Sequence, residues 1–184
     1  MSEIAGETMR TERPPAAQVV ATWFDQHSDT IHAYVSRRAG HDVASDVTAA
    51  TFRVALEQID QFDPRVAGER AWLYGIASNL LRRHWREERR RLRAYERHAN
   101  VVRGEAIDPL VPIDDRVDAE RRFLRLAGAI ERLDPVDRDL LFLVAWERCT
   151  SAEVAAALEL TASTVRRRLQ RIRTELRRAE GTVQ

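Results

Sequence analysis

The sequence predicts an all-α protein with two small helical domains. Apolar residues recur at steps of three and four along most of the chain, as they do on the buried face of a helix, and no stretch alternates like a β-strand. An acidic segment that contains glycine and proline interrupts this periodicity. We therefore expect helical domains at residues 17–98 and 120–180, joined by a flexible acidic linker at residues 99–119.

The first domain is preceded by a short segment without apolar periodicity. Residues 1–16 contain glycine and a proline pair, and we predict that they form a flexible leader. Apolar spacing then predicts a helix over residues 19–38, which ends at Gly40 because glycine commonly terminates helices. Asp42 is placed to cap a second helix that runs to about Gln61.

A loop and a long helix complete the first domain. Residues 62–70 contain Pro64 and Gly68, which disfavour regular structure, so this segment is predicted to be a loop. The following residues, 71–97, have helical periodicity throughout, although the second half is mostly charged.

The second domain has the pattern of a helix-turn-helix protein. Helices are predicted over residues 123–133, 140–144, 153–158 and 162–179. Asp134 and Pro135 end the first of them, and a tight turn at Glu159 separates the last two, which is typical of the helix-turn-helix motif. Either Thr161 or Ser163 is placed to cap the final helix.

Charge is strongly segregated along the chain. The formal net charge of the 184 residues is only +1, and all 30 basic residues are arginine. Residues 82–103 and 159–178 are nevertheless rich in arginine, whereas residues 105–120 are rich in acids. Two basic segments separated by an acidic spacer favour contact with nucleic acid. Arginine binds phosphate and guanine well, but a GC-rich genome is the favoured explanation for the absence of lysine.

Several classes of protein are disfavoured. A single cysteine, Cys149, cannot form an internal disulfide, and the chain has neither a signal peptide nor a transmembrane run, so we expect a cytoplasmic protein without membrane insertion. The five histidines are scattered, and no phosphate loop, metal-ligand spacing or nucleophile paired with a base is evident. We expect no enzymatic activity, no metal and no cofactor.

The last predicted helix has an apolar stripe and a basic face. Val165, Leu169, Ile172 and Leu176 follow helical spacing and form the predicted buried stripe. The residues that project away from this stripe are Arg166, Arg167, Gln170, Arg171, Thr174 and Arg178. Such a face suits the major groove of DNA and its phosphates, although a solvated arginine-rich helix in a bundle is the alternative.

The long helix of the first domain also has two faces. Leu73, Ala77, Leu80 and His84 form a core stripe. A second row comprises Trp72, Ile76, Asn79, Arg83, Arg86 and Arg90. Aromatic, amide and basic side chains in one row favour single-stranded DNA, which needs stacking surfaces, base-edge partners and backbone contacts. The alternative is that Trp72 belongs to the core and Asn79 makes a local hydrogen bond.

These blocks resemble the extracytoplasmic-function (ECF) group of bacterial sigma factors. Residues 43–54 resemble region 2.2, which docks on the clamp of RNA polymerase, and residues 71–86 resemble regions 2.3 and 2.4, which melt and read the minus-10 element. Residues 133–178 resemble region 4, which reads the minus-35 element and contacts the polymerase flap. Residues 17–98 then correspond to region 2 and residues 120–180 to region 4.

The resemblance implies roles for individual residues. Polymerase contacts fall on Asp46, Thr51 and Phe52. Contacts to minus-10 DNA fall on Phe62, Trp72, Ile76, Asn79, Arg83, Arg86 and Arg90. Contacts to minus-35 DNA fall on Ser163, Thr164, Arg166, Arg167 and Arg171. The loop at residues 62–70 is expected to enclose a flipped minus-10 base together with Ile76 and Asn79.

The implied function is transcription initiation at two-box promoters. The expected partners are core RNA polymerase, through its clamp and flap, promoter DNA and an anti-sigma factor. The chain departs from the family where Ala49 and Ala50 replace a usual Gln-Glu pair, which removes polar groups from the clamp-binding helix. The alternative function is a stand-alone helix-turn-helix transcriptional regulator, which would use the second domain alone.

Overall fold

The computed structural model describes residues 14–98 and 115–181, and every regular element in these ranges is helical. The α-helices are α1 (Ala16–Ala39), α2 (His41–Glu57), α3 (Glu69–His98), α4 (Asp115–Arg132), α5 (Pro135–Ala145), α6 (Ser151–Ala157) and α7 (Ala162–Gly181). A 3-10 turn spans Ile59–Gln61. The all-α prediction is confirmed. The predicted leader, apart from residues 14–16, and residues 99–114 of the predicted linker lie outside the described residues.

Helices α1, α2 and α3 form the first domain. Ile31 and Tyr34 of α1, Ala55 of α2, and Leu73 and Leu81 of α3 are fully buried in its core. Burying apolar side chains removes them from water, and a large one such as Ile31, Leu73 or Leu81 stabilises the fold by about 1.5–3 kcal/mol. This shared core fixes α2 beside α3, so the outer faces of these two helices form one surface.

The junction between α1 and α2 differs in one respect from the prediction. Gly40 ends α1 with a φ of 81°, as expected, since this left-handed conformation favours glycine. Gly40 also holds the N-cap position of α2, and Asp42 lies within the first turn. The predicted Asp42 cap is therefore wrong. Its carboxylate instead favours the helix through the positive end of the helix dipole.

Helices α4 to α7 form the second domain. Asp134 separates α4 from α5, because its carboxylate accepts hydrogen bonds from the backbone N–H groups of Val136, at 2.9 Å, and Asp137, at 3.0 Å. α4 begins at Asp115, inside the segment that was predicted as linker. Val165 and Ile172 are fully buried on α7, which confirms the predicted apolar stripe.

The turn between α5 and α6 contains a strained residue. Arg148 has a φ of 53°, in the left-handed region that costs a non-glycine residue about 1–2 kcal/mol. We expect Arg148→Gly to stabilise the second domain by roughly 0.5–1 kcal/mol, after the entropic cost of glycine is subtracted. Thermal unfolding should show a higher Tm. Arg148→Ala is the control because it removes the same side chain but retains the strain, and an equal rise in Tm for both variants would contradict this explanation.

The two domains pack directly against each other, although only a linker was expected to join them. α3 of the first domain lies against α6 and the edge of α5 in the second. At the closest point, a Cβ added to Gly75 would lie 2.5 Å from the carbonyl oxygen of Ala157. Glycine at position 75 thus permits the backbones of α3 and α6 to approach each other.

Candidate nucleic-acid interface

An open cavity of about 390 Å³ lies between α2 and α3. Its lining residues are Val54, Gln58, Ile76, Asn79, Leu80, Arg82, Arg83 and Arg86. The wall combines apolar side chains, two amides and three guanidinium groups, and it includes no acid. This composition suits a nucleotide, because a base has an apolar face and a polar edge and carries a phosphate.

The residues of the predicted second row on α3 differ in burial. Ile76 is only 7% exposed and contributes to the floor of the cavity, whereas Asn79, Arg83, Arg86 and Arg90 are exposed. The Oδ1 atom of Asn79 accepts a hydrogen bond from the guanidinium group of Arg82, which the sequence reasoning did not single out. The cavity therefore brings Ile76, Asn79, Arg83 and Arg86 together on one surface.

Trp72 and Phe62 belong to a separate aromatic cluster. The ring centroid of Trp23 lies 4.9 Å from that of Phe62 and 5.9 Å from that of Trp72, in edge-to-face arrangements. A second cavity, of about 300 Å³, is bordered by Trp23, Phe62 and Asp60. In this structure the loop at residues 62–70 and the Asn79 cavity are distinct sites, so they do not enclose one common pocket.

The residues of α2 that are predicted to bind polymerase differ in exposure. Asp46 is exposed on α2, and so is Ala49. Thr51 is fully buried and its hydroxyl donates a hydrogen bond to the carbonyl oxygen of Val47 at 2.7 Å. Phe52 is 6% exposed, so its contribution to a docking surface is through positioning α2 rather than through broad contact.

The helix-turn-helix motif consists of α6, a turn and α7. A capping box starts α6, because the Thr150 hydroxyl accepts a hydrogen bond from the Glu153 N–H and the Glu153 carboxylate accepts one from the Thr150 N–H. Glu159 makes the turn with a φ of 54°. The Thr161 hydroxyl accepts a hydrogen bond from the backbone N–H of Thr164 at 3.2 Å, so Thr161 provides the cap at the start of α7.

The arginines of α7 fall into two groups. Arg166 and Arg167, together with Ser163, are exposed in the first turns of the helix, while Thr164 is half-buried. Arg171 forms ion pairs with Asp137 of α5 and, at 3.6 Å, with Asp134, the residue that caps α5. Arg171 therefore ties α7 to the start of α5, an arrangement that helical spacing alone did not predict.

Carboxylates at the start of α5 complete this contact. Arg168 donates a hydrogen bond to Asp137 at 2.8 Å. Partial burial acts to raise the pKa of Asp134, but hydrogen bonds from the Asp137 and Val136 backbone, together with Arg168, lower that pKa overall. Asp134 is thus ionised at neutral pH, as a helix cap and ion-pair partner requires.

A third group of charged residues lies between the domains. Asp139 of α5 is fully buried and binds Arg38 and Arg82, while Glu147 binds Arg37 and accepts a hydrogen bond from the Tyr74 hydroxyl at 2.6 Å. Arg70 lies 3.3 Å from the Glu153 carboxylate. Burial raises the pKa of Asp139, an effect that Arg38 and Arg82 oppose.

Other kinds of site find little support in the described residues. Burial raises the pKa of Cys149 to about 11, so the thiol is protonated at neutral pH. Within residues 14–98 and 115–181, no cluster of histidine, cysteine, aspartate and glutamate is arranged to hold a metal ion. In the same ranges, no helix combines the length and the apolar character needed to cross a membrane.

Comparison with known families matches both domains. The Sigma-70 region 2 model matches residues 23–91, and the Sigma-70, region 4 model matches residues 123–176. The first match contains the cavity between α2 and α3, and the second contains the helix-turn-helix motif.

Curated relatives agree with these matches. The ECF RNA polymerase sigma factor BldN of Streptomyces coelicolor is 31% identical over 139 residues, covering 73% of this chain and 50% of BldN. The RNA polymerase sigma factor CnrH of Cupriavidus metallidurans is 32% identical over 137 residues, covering 71% of this chain and 70% of CnrH. The ECF RNA polymerase sigma factor SigE of Mycolicibacterium smegmatis is 30% identical over 156 residues, covering 83% of this chain and 58% of SigE. The matched part of this chain thus spans half the length of BldN.

Two solved structures share the fold. One is the sigma factor RpoE in complex with the anti-sigma factor NepR from Bartonella quintana, with a TM-score of 0.59 and 20% identity, covering 91% of this chain and 99% of that one. The other is CnrH in complex with the cytosolic domain of CnrY, with a TM-score of 0.57 and 24% identity, covering 89% of this chain and 92% of that one.

A helical domain followed by a helix-turn-helix domain, each with an arginine-rich outer face, defines a two-domain DNA-binding protein of all-α class. Two findings identify the family within this class. The chain matches the models of regions 2 and 4, and it is 32% identical to CnrH over 70% of the length of CnrH. The chain belongs to the sigma-70 family of RNA polymerase sigma factors, in the ECF group.

Proposed function

We propose that this chain is a transcription initiation factor that binds core RNA polymerase and directs it to promoters with a minus-10 and a minus-35 element. The observation that carries the proposal is the combination, in one chain, of the acid-free cavity between α2 and α3 with a helix-turn-helix whose α7 exposes Arg166 and Arg167. A stand-alone helix-turn-helix regulator would not require the cavity between α2 and α3.

The cavity between α2 and α3 would hold an unpaired base of the minus-10 element. The Asn79 amide would hydrogen-bond the base edge over the apolar floor at Ile76, and Arg83 and Arg86 would bind the DNA backbone. Binding energy for the single strand then offsets the few kcal/mol needed to unstack a base. Arg90 extends the basic surface by one turn. Phe62 and Trp72 would contact the minus-10 DNA outside this cavity, from the separate aromatic cluster.

The start of α7 would read the minus-35 element as duplex DNA. Arg166 and Arg167 extend into solvent from the first turns, where a recognition helix meets base edges and phosphates. Ser163 and Thr164 precede them at the N-terminus of the helix, where backbone N–H groups favour phosphate. Arg171 would contact the DNA backbone while it keeps its ion pairs with Asp137 and Asp134.

The remaining partners follow from the exposed face of α2 and from family membership. Asp46 would face basic residues of the polymerase clamp, and Thr51 and Phe52 would hold α2 in position. The second domain would contact the flap. We also propose an anti-sigma partner, because RpoE occurs in complex with the anti-sigma factor NepR and CnrH occurs in complex with the cytosolic domain of CnrY. Such a factor acts in the cytoplasm, with the polymerase.

Reconstitution tests the proposal as a whole. Purified protein added to core RNA polymerase is expected to give transcription from a specific two-box promoter, whereas core alone gives none. If the protein does not associate with core polymerase at all, the proposal is wrong. Binding to duplex DNA without any requirement for polymerase would instead favour the stand-alone regulator.

Replacement of Asn79 tests the minus-10 assignment. We expect Asn79→Ala to reduce open-complex formation roughly 5-fold, because one base-edge hydrogen bond contributes about 1 kcal/mol. Permanganate reactivity of unpaired thymines measures the open complex. Gln26→Ala, which removes an exposed amide on α1, is the matched control and should have no effect. Equal melting by wild type and Asn79→Ala would exclude a base-reading role for Asn79.

A further inference from the structure

A third cavity, of about 260 Å³, lies between the two domains. Four arginines line it, namely Arg38 of α1, Arg82 and Arg89 of α3, and Arg138 of α5. Trp85 of α3 lies beside them. The volume is near the lower limit for sites that bind small molecules, about 300 Å³. The cavity therefore suits a small ligand, and its wall favours an anion because a guanidinium group is always charged at neutral pH.

The positive charges of this wall are only partly neutralised. Arg38 and Arg82 share the buried carboxylate of Asp139. The hydrogen bonds that Arg89 and Arg138 make within the described part of the chain go to backbone carbonyl oxygens instead. Since a carbonyl carries no net charge, two guanidinium groups of the cavity lack a carboxylate partner among the described residues.

Arg138 is held in place with one donor unused. Its guanidinium group donates hydrogen bonds to the backbone carbonyl oxygens of Glu131 and, at 3.3 Å, of Leu133, which fix it at the end of α4. Its Nε atom is buried and has no hydrogen-bond partner among the described residues. A buried donor without an acceptor is costly, and a bound anion would supply the acceptor. Glu131 is the one acid that the described residues contribute to the lining, but it is exposed and Arg138 contacts its backbone.

Trp85 gives the same cavity an aromatic wall. The residue is half-buried, and its ring contacts that of His84 in an edge-to-face arrangement with centroids 5.2 Å apart. The Nε atom of Arg89 donates a hydrogen bond to the Trp85 carbonyl oxygen at 3.2 Å, so this guanidinium group is tethered beside it. An aromatic ring stacks on a nucleobase, and guanidinium groups bind phosphate oxygens. A ligand that carries both a base and phosphates would use the whole lining, whereas inorganic phosphate would use the arginines alone.

We propose that this cavity is a binding site for a nucleoside diphosphate. Arg89 and Arg138 bind the phosphates, the base stacks on Trp85, and Arg38 and Arg82 add positive potential behind them. Because both domains contribute residues, the bound nucleotide contacts both. The inference goes beyond the proposed function, since neither Arg138 nor Trp85 belongs to the surfaces assigned to the minus-10 and minus-35 elements.

Isothermal titration calorimetry of the full chain with ADP and with GDP tests the site. Both are suitable probes, because the described lining residues offer no amide or hydroxyl group that would read a base edge. We expect saturable binding of one equivalent. Inorganic pyrophosphate, which lacks the base, is expected to bind roughly 10-fold more weakly because stacking on Trp85 is lost. No saturable binding of either nucleotide, or pyrophosphate binding as tightly as the nucleotides, would overturn the inference.

Replacement of the two arginines without a carboxylate partner tests the phosphate contacts. Arg89→Gln and Arg138→Gln are each expected to lower the affinity for ADP roughly 10-fold, because each removes a charge-assisted hydrogen bond to phosphate. Arg89 is exposed, so Arg89→Gln is expected to fold normally even if the half-buried Arg138 does not tolerate replacement. Arg132→Gln is the matched control, because it removes an exposed arginine of α4 that lies outside the lining. An equal loss for Arg132→Gln would mean that overall charge alone attracts the nucleotide, which would overturn the inference.

Replacement of Trp85 tests the base contact. Trp85→Leu is expected to lower the affinity for ADP to that for pyrophosphate, while the affinity for pyrophosphate itself stays unchanged. Loss of a general structural role would instead weaken both ligands. Unchanged binding of ADP by Trp85→Leu would overturn the assignment of the cavity to a nucleotide.

One further variant separates this site from the candidate DNA cavity. Arg82 lines both cavities, so a nucleotide could also enter the one between α2 and α3. Asn79 lines only the latter, and Asn79→Ala is therefore expected to leave the affinity for ADP unchanged. If Asn79→Ala weakens ADP binding as much as Arg89→Gln does, the nucleotide occupies the DNA cavity and the inference is overturned. If ADP binding depends on Arg89 but Asn79→Ala has no effect on promoter melting, the nucleotide site stands and only the minus-10 assignment fails.

Discussion

Replacing both Arg166 and Arg167 by alanine is expected to lower the affinity of the factor for duplex minus-35 DNA by roughly 30-fold or more, because each arginine that contacts a base or phosphate contributes about 1–3 kcal/mol. Both side chains are exposed in the first turns of α7. Unlike Arg168 and Arg171, they have no ion pair among the described residues, so no protein contact has to be broken for them to reach DNA. The slope of affinity against salt should also decrease by about two.

The measurement is anisotropy of a labelled minus-35 duplex titrated with the factor bound to core polymerase. Arg173→Ala with Arg177→Ala is the matched control, because it removes two exposed arginines from the same helix farther from its N-terminus. The control should weaken binding less. Equal losses for the two double variants would mean that α7 contributes general charge rather than recognition by its first turns.

Helical periodicity predicted α7 well because this helix is buried on one face. Val165, Leu169 and Ile172 lie on the predicted stripe and are buried, while Arg166 and Arg167 on the opposite side are exposed. An amphipathic pattern records such one-sided burial directly. The same reasoning could not choose between Thr161 and Ser163 as the cap, since both residue types are favoured at the N-cap of a helix.

The pattern was less informative for α3 because two partners cover this helix. Its core stripe packs on α1 and α2, but Tyr74 and Ser78 are also buried, the first against Glu147 of the second domain and the second against Tyr34 of α1. A helix in contact on several sides has a wide buried arc that a single stripe does not describe. For this reason Ile76 is buried in the floor of the cavity, whereas Asn79 and Arg83 of the same predicted row are exposed.

The contacts between the domains lay beyond any local pattern. Arg37 and Glu147 are 110 residues apart in the chain, and Arg82 and Asp139 are 57 apart. Each of these residues, taken alone, is an ordinary charged residue on or next to a helix. Their pairing depends on how the two domains dock, which the spacing of apolar residues along one helix does not encode.

Replacing Ile172 by alanine is expected to unfold the second domain or to bring it close to unfolding. Ile172 is fully buried on α7, and loss of a buried isoleucine side chain costs about 2–5 kcal/mol. A helical domain of this size has a total stability of only a few kcal/mol. Urea unfolding followed by circular dichroism should show an early transition for the second domain and a later one for helices α1 to α3.

Two variants calibrate this result. Ile172→Val keeps most of the side chain and should cost about 0.5–1.5 kcal/mol, and Leu124→Ala removes a side chain that is 61% exposed and should cost under about 0.5 kcal/mol. A cost for Ile172→Ala no larger than that for Leu124→Ala would contradict the buried face of α7. Since Ile172 is fully buried, loss of minus-35 binding in Ile172→Ala would come from unfolding and not from a lost contact with DNA. Arg166→Ala with Arg167→Ala should instead lose binding at unchanged stability, and the two readouts together separate what α7 does as a core helix from what it does as a reading helix.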